Sequence, residues 1–133
     1  MLEKQDIYHY DHKIDYYTEK IKNSEISEKT KKEILTFKNH LFMMGLSKPR
    51  VLKYMELLYT ISKSLKKDFD KLTKAEIEQY IGSINQKKYS PWTKQIYRVV
   101  IKKYLTWLNK GKIPKTVEWI RCNFSKSEKK LPG

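Results

Sequence analysis

Ser90-Pro91-Trp92-Thr93-Lys94-Gln95-Ile96-Tyr97-Arg98-Val99-Val100-Ile101-Lys102-Lys103-Tyr104-Leu105-Thr106-Trp107-Leu108-Asn109 is the longest stretch of this 133-residue chain that reads as a single element. A serine able to cap opens it, proline follows in the first turn, and Gly111 lies just beyond its end. Laid out at about 100° per residue, Ile96, Val100, Tyr104, Trp107 and Leu108 gather on one side, with Tyr97 and Ile101 beside them. Lys94, Arg98 and Lys102 follow at i, i+4 and i+8 on the other side, next to Gln95. The stretch predicts an amphipathic helix with one apolar and one basic face.

The chain on either side reads the same way. Upstream, Thr73-Lys74-Ala75-Glu76 is a capping box, and its helix turns Ile77, Tyr80, Ile81 and Ile84 inward. Ser47 opens a further helix with Pro49 in its first turn. There Val51, Leu52, Tyr54, Met55, Leu58, Ile61 and Leu65 form the apolar face, opposite Pro49, Lys53, Glu56, Thr60 and Lys63. Ser27 caps another, with Glu28 near the positive end of its dipole. Its stripe is Ile34, Phe37, the stem of Lys38, Leu41 and Phe42, and Gly45 supplies the left-handed stop. Nearest the start, Ile7, Tyr10, Ile14, Tyr17 and Ile21 alternate spacings of three and four, a helix of about four turns ended by Asn23 and Ser24. Downstream, Pro114 predicts a short helix with Val117 and Ile120 inward, and residues 126–133 read as a charged, flexible tail. Strand signals are weak, with no βαβ alternation, long repeat or low-complexity tract. The fold class expected is all-α.

Hydrophobic residues make up 39 % of the chain, enough for a modest core, so wholesale disorder is not expected. Lys and Arg number 29 against 15 acids, for a net charge of +14, which favours a polyanionic partner. Part of this excess is compositional. A single alanine, Ala75, and only three arginines beside abundant Lys, Ile, Tyr and Asn look like the codon usage of an AT-rich genome. The charge is uneven: residues 1–24 are net −1, 25–89 net +6 and 90–133 net +9. The organisation expected is a helical extension over 1–24, a binding domain over 25–112, and a short helix leading into a linker over 113–133. Cys122 alone supports neither an internal disulfide nor a multi-thiolate zinc site. No apolar run suits a membrane span and no signal-peptide core follows Met1, so a cytoplasmic protein without membrane contact is expected.

No Asp or Glu lies between Glu78 and Glu118, so nothing acidic interrupts the Lys94–Arg98–Lys102 row. Like charges four apart cost helix stability, and phosphates would neutralise them. Lys48, Arg50 and Lys53 follow Ser47 as Lys94 and Arg98 follow Ser90. Both helix starts offer backbone N–H groups to a phosphate, as if two elements gripped one duplex. The candidate DNA contacts are therefore Lys48, Arg50, Lys53, Ser90, Thr93, Lys94, Arg98 and Lys102.

The order of these signals resembles a known family. Leu41-Phe42-Met43-Met44-Gly45-Leu46-Ser47 is followed by Val51-Leu52-Lys53-Tyr54, then by Phe69-Asp70-Lys71-Leu72-Thr73-Lys74-Ala75-Glu76-Ile77-Glu78-Gln79-Tyr80-Ile81. Tyr89-Ser90-Pro91-Trp92-Thr93 and Tyr104-Leu105-Thr106-Trp107-Leu108 complete the set. Together these look like the N-terminal core-binding domain of tyrosine recombinases, the phage integrase and Xer-like class, and most like its archaeal members. The resemblance covers about residues 26–112, with a weaker match at Lys129-Lys130-Leu131-Pro132. It implies a SAM-like orthogonal bundle of four helices, here with an extra N-terminal amphipathic helix and a C-terminal linker. It also implies half of a clamp on double-stranded DNA, with the helices at 47–65 and 90–109 facing the duplex. The family's catalysis belongs to a separate C-terminal domain, expected as a partner in the parent chain and absent from this sequence.

The residues independently argue against recombinase chemistry in this chain. Phosphoryl transfer takes convergent cationic donors, whereas only Arg50, Arg98 and Arg121 are present and no His-x-x-Arg pair occurs. No catalytic residue and no cofactor is expected. His9 and His12 flank Asp11 without a further evident ligand, so no metal site is expected. His40 reads as a packed helix residue, Cys122 as a partly buried thiol, and Trp92, Trp107 and Trp119 as core. The acidic segment 1–24 suits packing on the bundle or on another protomer. Two other functions fit the basic face: a helical module docking an acidic protein, and a free-standing helix-turn-helix-like regulator.

Overall fold

The structure, a computed structural model, describes residues 2–122, with side chains from residue 9 onward. The tail expected to be flexible and the Lys129–Pro132 match lie outside the described residues, as does the side chain of Ile7. Five α-helices account for the fold: α1 Leu2–Lys22, α2 Glu28–Met43, α3 Lys48–Leu65, α4 Lys74–Asn85 and α5 Pro91–Leu108, with a 3₁₀ turn at Phe69–Lys71. No strand occurs among the described residues. The chain forms two compact units, residues 1–69 and 70–133. Counted over the sequence, they carry net charges of +4 and +10.

In the first unit α3 packs against both α1 and α2. It therefore buries more than one stripe: Val51, Leu52, Tyr54, Met55, Leu57, Leu58, Ile61 and Ser62 are all covered. Leu57 and Ser62 fall outside the expected face, because a helix covered on two sides loses its simple amphipathic pattern. The segment 1–24, set apart by its charge, is built into this unit. Ile14 and Ile21 are buried, and Tyr17 meets Tyr59 of α3 edge to face at 6.1 Å. Lys20 Nζ lies 5.2–5.6 Å from the ring centres of Tyr16, Tyr17 and Tyr59, a cation–π contact that ties α1 to α3. Burial pushes the Tyr17 phenol up, and the nearby Glu56 adds to this.

α2 begins and ends as its sequence predicts. The Ser27 hydroxyl accepts from the Thr30 N–H at 3.1 Å and donates to the Asp68 carboxylate, which also accepts from Thr30 Oγ1. At the other end Gly45 adopts φ +89°, with Gly45 N–H donating to Phe42 O and Leu46 N–H to Leu41 O. This is a complete Schellman motif. Phe42, expected inward, is 37 % exposed. His40 stacks on Phe37 at 6.1 Å.

In the second unit α4 packs on α5. The Thr73–Glu76 capping box forms in both directions, at 3.2 Å and 2.9 Å, and Ile77, Ile81 and Ile84 are buried. α5 buries Tyr97, Val100, Ile101, Tyr104 and Leu105, while Ile96, Trp107 and Leu108 are only half-buried. Its buried face is thus rotated from the expected one. Lys94, Arg98 and Lys102 border that face instead of lying opposite it. Trp92, expected in the core, is 60 % exposed, and Trp107 and Trp119 are half-buried. The helix expected after Pro114 is a set of turns: Val117 and Glu118 N–H donate to Pro114 O, and Ile120 N–H to Val117 O. Val117 and Ile120 do point inward, at 0 % and 1 % exposure.

Candidate nucleic-acid interface

The basic row of α5 is held in place by neutral oxygens. Lys94 Nζ donates to the backbone carbonyl of Asn85 at 2.7 Å, and Arg98 Nη1 donates to the Asn85 side-chain oxygen at 3.2 Å. Asn85 is the last residue of α4, so two cations sit at the negative end of that helix dipole. Lys102 Nζ donates to the carbonyl of Ile120 at 2.7 Å, tying α5 to the turns after Pro114. These bonds account for the tolerance of three like charges in a row without any phosphate. They also fix the charged heads without offsetting them, since the oxygens are carbonyls and no carboxylate occurs between Glu78 and Glu118. Each bond uses one donor of a group that has several. The neighbouring Cys122 thiol is raised by burial, with Lys102 and Arg98 pulling the other way.

The helix starts differ from one another. Ser90 caps α5, its hydroxyl accepting from Thr93 N–H at 3.1 Å and donating to Thr93 Oγ1 at 3.1 Å. Ser47 occupies the cap position of α3 with extended backbone, but its hydroxyl makes no cap bond. Pro49 in the first turn presets the backbone there. Lys48, proposed for a phosphate, is paired with Asp11 of α1 at 2.7 Å. Arg50 and Lys53 are exposed and form no hydrogen bond or ion pair among the described residues. The structure therefore brings Ser90, Thr93, Lys94, Arg98 and Lys102 together on one helix. Lys48, Arg50 and Lys53 belong to the other compact unit.

Sequence reading missed the two anchors of the row. Asn85 stands nine and thirteen residues before Lys94 and Arg98, and a carbonyl at Ile120 has no side-chain signature. It also passed over Lys87 and Lys88, an exposed pair between α4 and α5 that the charge run alone could have flagged. Among the described residues no three His, Cys, Asp or Glu side chains converge as metal ligands would. Likewise, no described helix is long and apolar enough to cross a membrane. In comparisons with known proteins, no family model, curated protein or solved structure matches the chain.

Proposed function

We propose that this chain is a DNA-binding module of the tyrosine-recombinase core-binding type, with a SAM-like helical fold, gripping double-stranded DNA mainly through phosphates and performing no strand chemistry itself. One observation carries the reading: three cationic heads on α5 are fixed on carbonyl oxygens and left without a carboxylate, in a unit of net charge +10. A row held this way is preorganised for anions, because little side-chain freedom is left to lose on binding. Arg50 and Lys53 of α3 would add contacts from the first unit, while Lys48 would first have to leave Asp11. The Arg98 guanidinium fork can also read a guanine edge in two-point fashion. In this reading the parent protein is a site-specific recombinase whose catalysis lies in another domain.

The test is fluorescence anisotropy of a labelled duplex at several salt concentrations, with polyglutamate as competitor. Neutralising about four to six phosphate charges gives a slope of log affinity against log salt of roughly −4 to −5, at about micromolar affinity or weaker. Saturable binding to the acidic polypeptide without salt-dependent duplex binding would replace this reading with that of a protein-docking module.

A further inference from the structure

Every residue from Asn85 to Trp92 is exposed. This segment runs from the last residue of α4 into the first turn of α5 and carries Lys87, Lys88, Tyr89 and Trp92, with no acidic residue among them. The Trp92 indole is 60 % exposed, against 38 % for Tyr89. The chain's other two tryptophans, Trp107 and Trp119, are half-buried. At 60 % exposure the Trp92 ring gives up more than half of the burial that normally holds such a residue inside, and aromatic rings grouped with basic side chains suit a contact surface. The Tyr89 ring is stacked on Tyr97 at 5.7 Å and 7°, which fixes it against α5. At the same end of α5, Lys94 is anchored to Asn85 and the Ser90 cap sets the first turn.

Aromatic rings interleaved with ammonium groups suit one class of polyanion in particular. Every base has a π-face, so stacking on an aromatic ring tolerates any sequence while nearby cations follow the phosphates. In an intact duplex those faces are covered by neighbouring base pairs, and an exposed indole gains little from them. We propose that Trp92 is a stacking platform for an unpaired nucleobase, so that the preferred ligand of this surface is DNA with an unpaired stretch next to a duplex. The proposal deepens the DNA-binding reading and rests on it.

The experiment compares three labelled ligands at one salt concentration: an intact duplex, the same duplex with an internal unpaired thymidine stretch, and a thymidine single strand. The proteins are the full chain, W92A and W92F. The unmodified chain is expected to prefer the interrupted duplex over the intact one by at least about fivefold, as expected of one stacked base. W92A loses that preference and keeps its affinity for intact duplex, whereas W92F retains most of the preference. Tryptophan emission is quenched by the interrupted duplex, and the quenching disappears in W92A although Trp107 and Trp119 remain. Circular dichroism of W92A is expected to match the unmodified chain, because the ring lies outside the core. Equal binding of all three ligands would overturn the stacking role, and so would an equal loss in W92A on both duplexes. In either case salt-dependent duplex binding would leave the DNA reading standing. Failure to bind any of the three would overturn both.

Discussion

At the end of α5, Lys110 has φ +60° and Gly111 has φ +87°. Lys110 N–H donates to Trp107 O and Gly111 N–H to Thr106 O, the same Schellman pattern that closes α2 at Gly45. The difference is the residue in the left-handed position, glycine after α2 and lysine after α5. A side chain there costs about 1 kcal/mol that glycine avoids. Lys110→Gly is expected to raise stability by about 0.5–1 kcal/mol, partly offset by the looser unfolded chain. Urea unfolding checks this: the midpoint rises with the slope unchanged, and a fall would contradict the cap geometry. Gly45 was legible in the sequence because glycine announces the left-handed stop. Near Gly111 the same signal points one residue too far, since nothing in Leu108-Asn109-Lys110 distinguishes the lysine that turns. Trp92 was misplaced for a related reason: its spacing is apolar, but it stands in the first turn of α5, ahead of Tyr97, the first residue that the helix buries.

Among the helices, the capping bonds separate serines and threonines that look alike in sequence. Thr73 both accepts from Glu76 N–H and has its own N–H bonded by the Glu76 carboxylate, whereas Ser47 makes no cap bond. Thr73→Ala is expected to cost about 1 kcal/mol, and Ser47→Ala less than about 0.5 kcal/mol. Thermal or urea denaturation of the two variants side by side tests the contrast, and equal losses would refute it. The five helices were legible because their apolar spacing is regular and the starts of α2 to α5 each carry a cap residue or a proline, whereas Pro114 gave the same signal and opens only turns. The orientation of α5 was not. Apolar residues at 96, 97, 99, 100, 101, 104, 105, 107 and 108 cover so wide an arc that the spacing does not choose its centre. Tertiary packing chooses it, burying Tyr97 and Leu105 and leaving Ile96 and Trp107 half-exposed. The apolar stripe of residues 1–24 was legible too: Ile14 and Ile21, two of its members, are buried, and α1 packs on α3.

At the scale of the whole molecule, four proton equilibria on α1, α5 and the turns after Pro114 shift in the same direction. Burial raises the Tyr17 and Tyr97 phenols and the Cys122 thiol, and a hydrogen bond to Tyr16 raises the Lys20 ammonium. Tyr97 is raised further by its hydrogen bond with Tyr89. In each case the fold favours the protonated form. The stabilisation is therefore complete below the unfolded values, 9.0 for the thiol, 10.0 for phenols and 10.5 for lysine, and is lost as pH rises through the folded ones. The urea midpoint is expected to decline once pH passes the thiol range and more steeply past the phenol range. Tyr97→Phe, which has no proton to lose, should flatten that decline. A midpoint insensitive to alkali, or a Tyr97→Phe curve parallel to that of the unmodified chain, would contradict these environments.

The same scale holds the central claim, that the fixed cations of α5 meet DNA phosphates. The basic row was legible as three residues at i, i+4 and i+8. Its anchoring on Asn85 and Ile120 was not, because those partners are oxygens brought near by the fold. The most direct measurement is the salt dependence of duplex binding by the unmodified chain and by a variant with Lys94, Arg98 and Lys102 all replaced by Ala, both shown to be folded by circular dichroism. If the three heads each neutralise a phosphate, the slope of log affinity against log salt becomes shallower by about three, with a large loss of affinity at low salt. An unchanged slope and affinity in the folded triple variant would show that these cations serve only to hold α5 to its neighbours.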